Sequence, residues 1–363
     1  MTHHPNLQVP DLRGLYAMPA EWQPHRGTIL TWPHRSPIWR GVHAQVEQTF
    51  AELVRELSEV EEVHVNVPDQ AYRLHAAKLS QQAGAQMSRV RWHLIDSDDV
   101  WARDHGPIFV VRQPQAPVDL PPLVMLNWEF NAWGGKFTSE LDNQIPSQMA
   151  EFFDVPVVSP GLVMEGGSLE VNGAGDLLTT QAVLLHTNRN PNHSEAAIQA
   201  LLRDSLGVQR VHWLGRGLLG DDTDGHIDDI ARFVDETTVV VVSPSDKDNP
   251  DYGIMQENIA LLKQMRGNGG QAWRVVELPA PEPIAFQDEH LPASYANFYI
   301  ANGKVLVPTF GQPSDAQALG ILQDLMPRHR VIGLDGRWLV TQYGNIHCVT
   351  QQIPDVAALS SGG

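Results

Sequence analysis

Residues 168–214 read SLEVNGAGDLLTTQAVLLHTNRNPNHSEAAIQALLRDSLGVQRVHWL, and this stretch decides the predicted fold. Residues 169–171 and 177–185 have the apolar character of two strands, and the glycine-rich residues 172–176 form the turn between them. Ser194 is a suitable N-cap for a helix that ends at Leu206. Residues 211–214 form a third strand, which completes a unit of strand, turn, strand, helix and strand.

The same unit recurs along the chain with a period of about 40–55 residues, which is typical of radial or stacked repeats. Two clear copies follow the first, with strands at 230–234, 239–242 and 273–278 around a helix at 254–265, and with strands at 296–300, 305–308 and 331–334 around a helix at 316–325. Two less regular copies precede it, with strands at 28–32 and 63–67 beside a helix at 46–57, and with strands at 108–111, 123–128 and 157–158 beside a helix at 146–153.

The five units predict an α/β fold in which the sheets are arranged as a closed ring. Residues 338–349 hold strand material that remains after the last unit, and we expect it to pair with the N-terminal unit and close the ring. The alternative is a doubly wound sheet, but that fold needs single strands alternating with helices and not hairpins. In a ring of this kind, the loops at the inner strand ends converge on one site.

The amino-acid composition excludes several classes of protein. The 363 residues include 25 Lys and Arg against 43 Asp and Glu, and the formal net charge of -18 argues against a nucleic-acid partner. No apolar run is long enough to cross a bilayer, and residues 1–10 lack the basic start of an export signal. The single cysteine fits a reducing compartment. We therefore expect a cytoplasmic protein with no membrane partner.

Reactive residue types are concentrated in five short segments. Each alone also fits a structural role, as a polar loop, a glycine turn, core packing or a buried thiol. His226 and Asp228 are two positions apart, so on an extended strand they point the same way. The segments are 98–107 (Asp-Asp-Val-Trp-Ala-Arg-Asp-His-Gly-Pro), 128–135 (Trp-Glu-Phe-Asn-Ala-Trp-Gly-Gly), 164–168 (Met-Glu-Gly-Gly-Ser), 221–229 (Asp-Asp-Thr-Asp-Gly-His-Ile-Asp-Asp) and 345–348 (Asn-Ile-His-Cys).

A shared pocket for the reactive residues of these segments would suit a cationic electrophile. A thiolate is a strong nucleophile, and an imidazole can carry protons to and from a leaving group. Several carboxylates beside them favour a guanidinium, whose planar N–H groups pair with carboxylates in a bidentate manner. Charge therefore predicts guanidine hydrolysis or amidine transfer by a group that contains Cys348, His226, Asp104, Glu165 and Asp228.

The five motifs together resemble the agmatine deiminase family, which is related to the bacterial type of peptidylarginine deiminase. They occur in family order, and the resemblance covers nearly the whole chain. It implies a five-bladed, pseudo-symmetric α/β propeller of ββαβ units, formed as a single catalytic domain by residues 1–363. It further implies hydrolysis of agmatine to N-carbamoylputrescine and ammonia on a route to putrescine, with no metal, no organic cofactor and a possible homodimer.

The resemblance also implies a role for each site residue. Cys348 would attack the guanidinium carbon and form a thiouronium intermediate as ammonia departs. His226 would protonate that ammonia and later activate the water that releases the ureido product. Asp104 and Asp228 would bind the guanidinium nitrogens, and Glu165 would hold the guanidinium and assist His226.

Two further residues would contact the rest of the substrate, and two positions depart from the family pattern. Trp101 resembles the aromatic wall beside the substrate, and Asp222 would meet the distal ammonium of agmatine. Tyr343 lies where the family usually has glycine, and His105 lies where a small residue is common. Free arginine and peptidyl-arginine therefore remain alternative substrates, and amidinotransfer, non-catalytic binding of a polyamine or guanidine, and metal-dependent hydrolysis near His226 remain alternative functions.

Overall fold

The structure is a computed structural model that describes residues 11–361, and residues 1–10, which carried the export prediction, lie outside them. Within the described residues, the chain forms five small sheets of three or four strands and one separate hairpin. No helix in this part of the chain is long and apolar enough to cross a membrane. The structure therefore confirms a mixed α/β fold with several small sheets.

Each sheet consists of an antiparallel strand pair extended by at least one parallel strand. We number the sheets as units 1 to 5 along the chain. In sheet order the strands are Gln351–Pro354, His25–Thr31, Glu62–Val67 and Val90–Leu94 in unit 1; Tyr16–Ala17, Ile108–Arg112, Leu123–Leu126 and Val157–Val158 in unit 2; Glu170–Val171, Asp176–Thr180 and Arg210–Leu214 in unit 3; Ala231–Phe233, Thr238–Ser243 and Arg274–Pro279 in unit 4; and Tyr299–Ala301, Lys304–Thr309 and Arg330–Asp335 in unit 5. The separate hairpin pairs Ile284–Phe286 with Glu289–Leu291.

Helices connect the strands of each unit. The longer α-helices are His43–Ser58 and Gln70–Ala83 in unit 1, Ile145–Phe153 in unit 2, Glu195–Leu206 in unit 3, Tyr252–Gln264 in unit 4 and Pro313–Leu325 in unit 5. Short α-helices cover Ala102–His105, Ala132–Gly135, Gln181–Leu184 and Val356–Ser361, and short 3-10 helices cover Ser36–Trp39, Met87–Arg89, Asp142–Gln144, Gly166–Ser168, Ile227–Asp229 and Val340–Gln342.

Unit 4 illustrates how the sequence produces this arrangement. The central strand Thr238–Ser243 contains four consecutive valines and is buried, as expected for a strand with a neighbour on both sides. Helix Tyr252–Gln264 covers this sheet with Met255, Ile259 and Leu262, which are buried and spaced three or four positions apart, and with the adjacent buried Ile254. Burial of this apolar surface is what joins helix and sheet.

The chain ends pair as expected, but through a different segment. Strand Gln351–Pro354 is antiparallel to His25–Thr31, with Gln351 opposite Ile29. The prediction that residues 338–349 form this strand was wrong, because this stretch holds the 3-10 helix Val340–Gln342 and a loop around Cys348. The loop backbone bonds to the side chain of Asn297 instead of to a neighbouring strand.

Two further elements were missed, and two strand boundaries differ from the prediction. Helix Gln70–Ala83 and strand Val90–Leu94 were missed, although Asp69 caps the helix through the Tyr72 amide and Gly84 ends it with a left-handed φ of 95°. The strand predicted at 177–185 ends at Thr180, because the apolar residues that follow are buried in the helical turn Gln181–Leu184. The strand predicted at 296–300 begins only at Tyr299.

Candidate active site

Loops from several units enclose a cleft of about 490 Å³. Its lining includes Cys348, Asp104, Trp101, Trp133, Asp222 and Tyr343. No lysine or arginine lines this cleft in the described part of the chain. The cleft therefore combines an aromatic wall with carboxylates and one thiol.

Cys348 lies at the cleft wall on the loop between Val340–Gln342 and Gln351–Pro354 and is 4% exposed. Asn297 fixes this loop, because its Oδ1 accepts hydrogen bonds from the backbone N–H of His347 (2.9 Å) and of Cys348 (3.3 Å). The Nδ2 of Asn297 donates to the sulfur at 3.0 Å. Gly344 brings the loop against Trp101, since a Cβ there would lie 2.3 Å from the indole ring.

Asp228 contacts the thiol, with its Oδ2 3.7 Å from Sγ. That oxygen also contacts Nδ1 of His347 at 2.6 Å. The other oxygen, Oδ1, accepts no hydrogen bond within the described residues, although the side chain is fully buried. A buried carboxylate oxygen without a donor is costly and is expected where a ligand supplies the donor.

His226 is surrounded by three carboxylates. Its Nδ1 lies 3.6 Å from Oδ1 of Asp104 and 4.0 Å from Oδ1 of Asp228, and its Nε2 lies 3.9 Å from Oε2 of Glu165. Burial alone would lower the pKa of His226, but the negative charges of Asp104, Glu165 and Asp228 outweigh burial and raise it to about 10. At neutral pH the imidazole is therefore protonated and can act as an acid.

Asp104 is held in place by two donors. The indole Nε1 of Trp133 donates to Oδ2 at 3.0 Å, and the backbone N–H of Gly167 donates to Oδ1 at 2.9 Å. Only glycine fits at 167, since a Cβ would lie 2.5 Å from Nδ1 of His226. Burial raises the pKa of Asp104 to about 6, against the opposing effect of His226.

Glu165 is oriented by a buried arginine. Nε of Arg189 donates to Oε1 at 2.6 Å, while Oε2 accepts no hydrogen bond within residues 11–361. Burial raises the pKa of Glu165, but His226 and Arg189 outweigh it, so that the pKa is lowered and the group stays ionised. Arg189 also contacts Asp224 at 2.6 Å, which ties Glu165 to the segment that carries His226.

The thiol itself lies in a negative environment. Burial, followed by the charges of Asp228, Asp229 and Asp104, raises the pKa of Cys348 well above its ordinary value. A cation bound beside these carboxylates would offset their charge and lower the thiol pKa. The arrangement therefore favours thiolate formation when a positively charged ligand is present.

Two further carboxylates, Asp222 and Asp99, line the cleft. Burial and then the neighbouring Asp221 raise the pKa of Asp222 to about 7, and burial raises that of Asp99 to about 6. Tyr343 is at the rim, where its hydroxyl donates to Glu289 at 2.7 Å and accepts from Arg40 at 3.2 Å.

The structure brings all the sequence-predicted residues together. Cys348, Asp104, Trp101 and Asp222 line the cleft. The remaining three, His226, Asp228 and Glu165, lie behind that lining as fully buried side chains. Sequence reasoning missed Asn297, Arg189 and Glu21, because each is a single position in a segment with no distinctive spacing. It also assigned no role to His347, although this residue lies in the 345–348 segment.

One grouping could ligate a metal ion. The sulfur of Cys348 and carboxylate oxygens of Asp228 and Asp229 lie within 4.8 Å of one another, the one such group of three in the described chain. Asp228 already contacts His347, and Asp229 accepts a hydrogen bond from Asn297 at 2.9 Å. These contacts account for the position of both carboxylates.

Known proteins resemble this chain over most of its length. Residues 17–354 match the Porphyromonas-type peptidyl-arginine deiminase family. The chain is 36% identical to the agmatine deiminase of Stutzerimonas stutzeri, with 93% of this chain and 95% of that protein covered. It is also 36% identical to the agmatine deiminase of Medicago truncatula, with 96% and 98% covered.

Solved structures show the same similarity. An agmatine deiminase of C. jejuni, in a cysteine-to-serine variant with substrate bound, superposes with a TM-score of 0.85 at 30% identity over 94% of this chain and 97% of that one. The agmatine deiminase of Enterococcus faecalis gives a TM-score of 0.87 at 29% identity over 96% and 99%.

Proposed function

The chain belongs to the Porphyromonas-type peptidyl-arginine deiminase family, and on that premise we propose that it hydrolyses agmatine to N-carbamoylputrescine and ammonia. The observation that supports the proposal is a group of one thiol, one imidazolium and three carboxylates. This group lies at and directly behind the wall of a cleft that no lysine or arginine lines within the described residues. A guanidinium is the electrophile that this charge pattern favours.

Substrate binding would use the carboxylate oxygens that lack donors. Oδ1 of Asp228 and Oε2 of Glu165 are buried and accept no hydrogen bond within the described residues. Guanidinium N–H groups would satisfy both, with Asp104 as a third acceptor at the cleft wall. The bound cation would place its carbon beside Cys348 and lower the thiol pKa.

The first chemical step would form a covalent bond between the sulfur and the guanidinium carbon. The Cys348 thiolate adds to that carbon and gives a tetrahedral adduct. His226, which is protonated at neutral pH, donates its proton to the departing nitrogen, and ammonia leaves as the carbon–nitrogen bond breaks. The product of this step is a thiouronium on Cys348.

The second step would release the product with water. Neutral His226, having lost its proton, accepts a proton from water as the water oxygen adds to the thiouronium carbon. Collapse of this adduct breaks the carbon–sulfur bond, regenerates the thiolate and releases the ureido product, whose hydroxyl proton passes to solvent. The sum is agmatine plus water giving N-carbamoylputrescine plus ammonia, and splitting it into two steps avoids direct attack of water on a resonance-stabilised guanidinium.

The remaining cleft favours agmatine over arginine. Asp222 and Asp99 would face the distal ammonium, and Trp101 and Trp133 would pack on the methylene chain. Arginine carries a carboxylate near its distal end, and the cleft offers it no basic side chain within the described residues. Like-charge repulsion would therefore weaken arginine binding relative to agmatine.

The experiment that tests this function compares guanidine substrates directly. Ammonia and ureido product are measured with agmatine, free arginine and peptides that end in arginine, each with and without an added amine acceptor. The proposal predicts turnover of agmatine without an acceptor. An absolute requirement for an amine would indicate amidinotransfer, and inhibition by chelators reversed by zinc would indicate a metal hydrolase.

We expect kcat/KM for agmatine to fall as pH decreases below about 7, where Asp222 begins to be protonated, and more steeply below about 6. Burial raises the pKa of Asp104 to about 6, so at lower pH this carboxyl is protonated and loses its attraction for the guanidinium. The measurement is kcat/KM from about pH 4.5 to about pH 9, with protein stability checked at each pH. A profile that stays flat down to the acid end of this range would contradict the assigned binding role of Asp104.

Tyr343 is expected to exclude large substrates. Its backbone is left-handed (φ 67°), so glycine is tolerated there, and Arg40 lies over its ring at 5.7 Å. In Tyr343→Gly, kcat/KM for a blocked arginine peptide relative to agmatine should rise about ten-fold, because the rim is wider. Glu289→Gln is the matched control, since it weakens the contacts of Tyr343 but keeps the ring, and it should leave this ratio within about two-fold.

We also infer that the five units surround a common axis as the blades of a propeller within one catalytic domain. The cleft is lined by segments that connect units 1 and 2, units 3 and 4, and units 5 and 1, and by loops within units 1 and 2. Pairing of Gln351–Pro354 with His25–Thr31 joins the first and last parts of the chain. A reduced nucleophilic thiol further fits a cytoplasmic location, and the proposed product, N-carbamoylputrescine, would place the enzyme on a route to putrescine.

A further inference from the structure

The side chain of His347 bridges two carboxylates. Its Nδ1 lies 2.6 Å from Oδ2 of Asp228, and its Nε2 lies 2.7 Å from Oε2 of Glu21. All three side chains are buried. His347 does not line the cleft, so it acts on the site only through its neighbours.

Each of the two contacts of His347 requires its own proton between the ring nitrogen and the carboxylate oxygen. A carboxylate only accepts hydrogen bonds, and a neutral imidazole has one N–H and one lone pair. Two contacts below 2.8 Å therefore need two protons shared among Glu21, His347 and Asp228. Charge-assisted hydrogen bonds of this length are strong and directional, so they restrict rotation of the Asp228 carboxylate.

Glu21, the carboxylate on the other side of His347 from Asp228, is held rigidly. Glu21 accepts hydrogen bonds from Arg232 at 2.9 Å, from Arg103 at 3.1 Å and from the backbone N–H of Ile300 at 2.8 Å. Burial raises the pKa of Glu21, but Arg232, His347 and Arg103 outweigh it and lower the pKa well below its usual value. Glu21 is therefore a fixed anion against which the imidazole is held.

The contact between His347 and Asp228 determines which carboxylate oxygen of Asp228 is left without a hydrogen-bond donor. Oδ2 is occupied by His347, whereas Oδ1 lies 4.0 Å from His226 and accepts no hydrogen bond within residues 11–361. If the carboxylate rotated, Oδ1 could turn away from the guanidinium position. Small misplacements of a binding group cause large losses in rate.

We propose that His347, held by Glu21, is a positioning residue that orients Asp228 so that Oδ1 receives the guanidinium of the substrate. This inference rests on the proposed function and deepens it. It assigns to His347 an effect on substrate binding that a residue needed only for folding would not have.

The test compares two substitutions of His347 that differ in which contact they keep. The amide nitrogen of Asn can occupy the position of ring Nδ1 and donate to Asp228, whereas that of Gln can occupy the position of Nε2 and donate to Glu21. Both remove the imidazole ring. We expect His347→Asn to keep KM for agmatine within about three-fold of wild type and His347→Gln to raise it about ten-fold.

Binding is measured separately from chemistry in Cys348→Ala proteins. Adding His347→Gln to Cys348→Ala should raise the Kd for agmatine about ten-fold. Adding it to a Cys348→Ala protein that also carries Asp228→Asn should raise the Kd much less, because Asp228, the residue that His347 orients, is then already altered. Tyr299→Phe is the matched control for loss of a buried polar contact, because its hydroxyl bonds to Thr28 at 2.7 Å and not to Asp228. It should leave Kd unchanged.

Each result has a defined meaning. Equal KM in the Asn and Gln variants, or activity losses that follow the folded fraction measured by circular dichroism, would overturn the inference. If His347→Gln does not fold, His347→Leu replaces it, with the same expected difference from His347→Asn. Absence of agmatine turnover in the wild-type protein would instead contradict the proposed function, so the two failures are distinguishable.

Discussion

Replacement of Cys348 by alanine is expected to lower kcat for ammonia release from agmatine by about 10⁴-fold or more. The sulfur is the one thiol of the chain, and neither Asp104 nor His226 can replace it as the atom that bonds to carbon. Agmatine binding should survive, because Asp104, Asp228 and Glu165 remain in place. The measurements are single-turnover ammonia release and calorimetric titration of the variant with agmatine.

Cys348→Ser is the matched control for this loss. It keeps the size of the side chain and a group that Asn297 can contact, as it contacts the sulfur at 3.0 Å in the native protein. A serine hydroxyl is a much weaker nucleophile than a thiolate, so kcat should fall nearly as far as in the alanine variant. Turnover in either variant within about ten-fold of wild type would show that the thiol does not carry the reaction.

Replacement of His226 by asparagine is expected to lower kcat by about 10³-fold, which is within the range of general acid–base catalysis. The imidazolium of His226 lies among Asp104, Asp228 and Glu165, and its pKa of about 10 keeps it charged at neutral pH. The variant should also unfold at a lower temperature, because three buried carboxylates lose the positive charge between them. Steady-state kinetics and thermal unfolding measure the two effects.

His64→Gln is the matched control for His226. His64 is also buried, its Nδ1 lies 2.9 Å from Nε2 of His93, and burial lowers its pKa to about 3, so it is neutral. This variant should retain kcat within about two-fold. A normal kcat in His226→Asn would contradict the assignment of His226 as the proton donor.

The periodicity of the chain predicted most of the fold. Helix Glu195–Leu206 begins after Ser194 as expected, since the hydroxyl of Ser194 accepts a hydrogen bond from the Ala197 amide at 3.3 Å. The buried valine run of Thr238–Ser243 could form only a central strand. Such elements are predictable because one short segment contains the cap or the apolar pattern that forms them.

The missed elements depend on contacts across the chain. Residues 338–349 contain enough apolar side chains for a strand, but their backbone is held by Asn297, about fifty positions away in sequence. Strand Val90–Leu94 extends unit 1 only because Glu62–Val67 lies beside it. Tertiary partners of this kind override local propensity and leave no local pattern to detect.

The residues of the candidate site likewise fall into a group that the sequence could predict and a group that it could not. Cys348, His226, Asp104, Glu165 and Asp228 were predictable because each lies in a short segment rich in reactive residues. Their supporting partners were not: Glu21 reaches His347 from the start of the chain, and Arg189 reaches Glu165 from an irregular loop. A single polar residue acquires a role only once the fold has chosen its neighbours.

The most direct test of the account is the mass of the protein after an acid quench during agmatine turnover. The wild-type protein is mixed with excess agmatine, quenched within the first turnover, and analysed as intact protein and as peptides, with Cys348→Ala as the control that should carry no adduct. We predict an increase equal to the mass of agmatine minus one ammonia, located on the peptide that contains Cys348. Turnover without any adduct at that residue, or an adduct located elsewhere, would contradict covalent attack by Cys348.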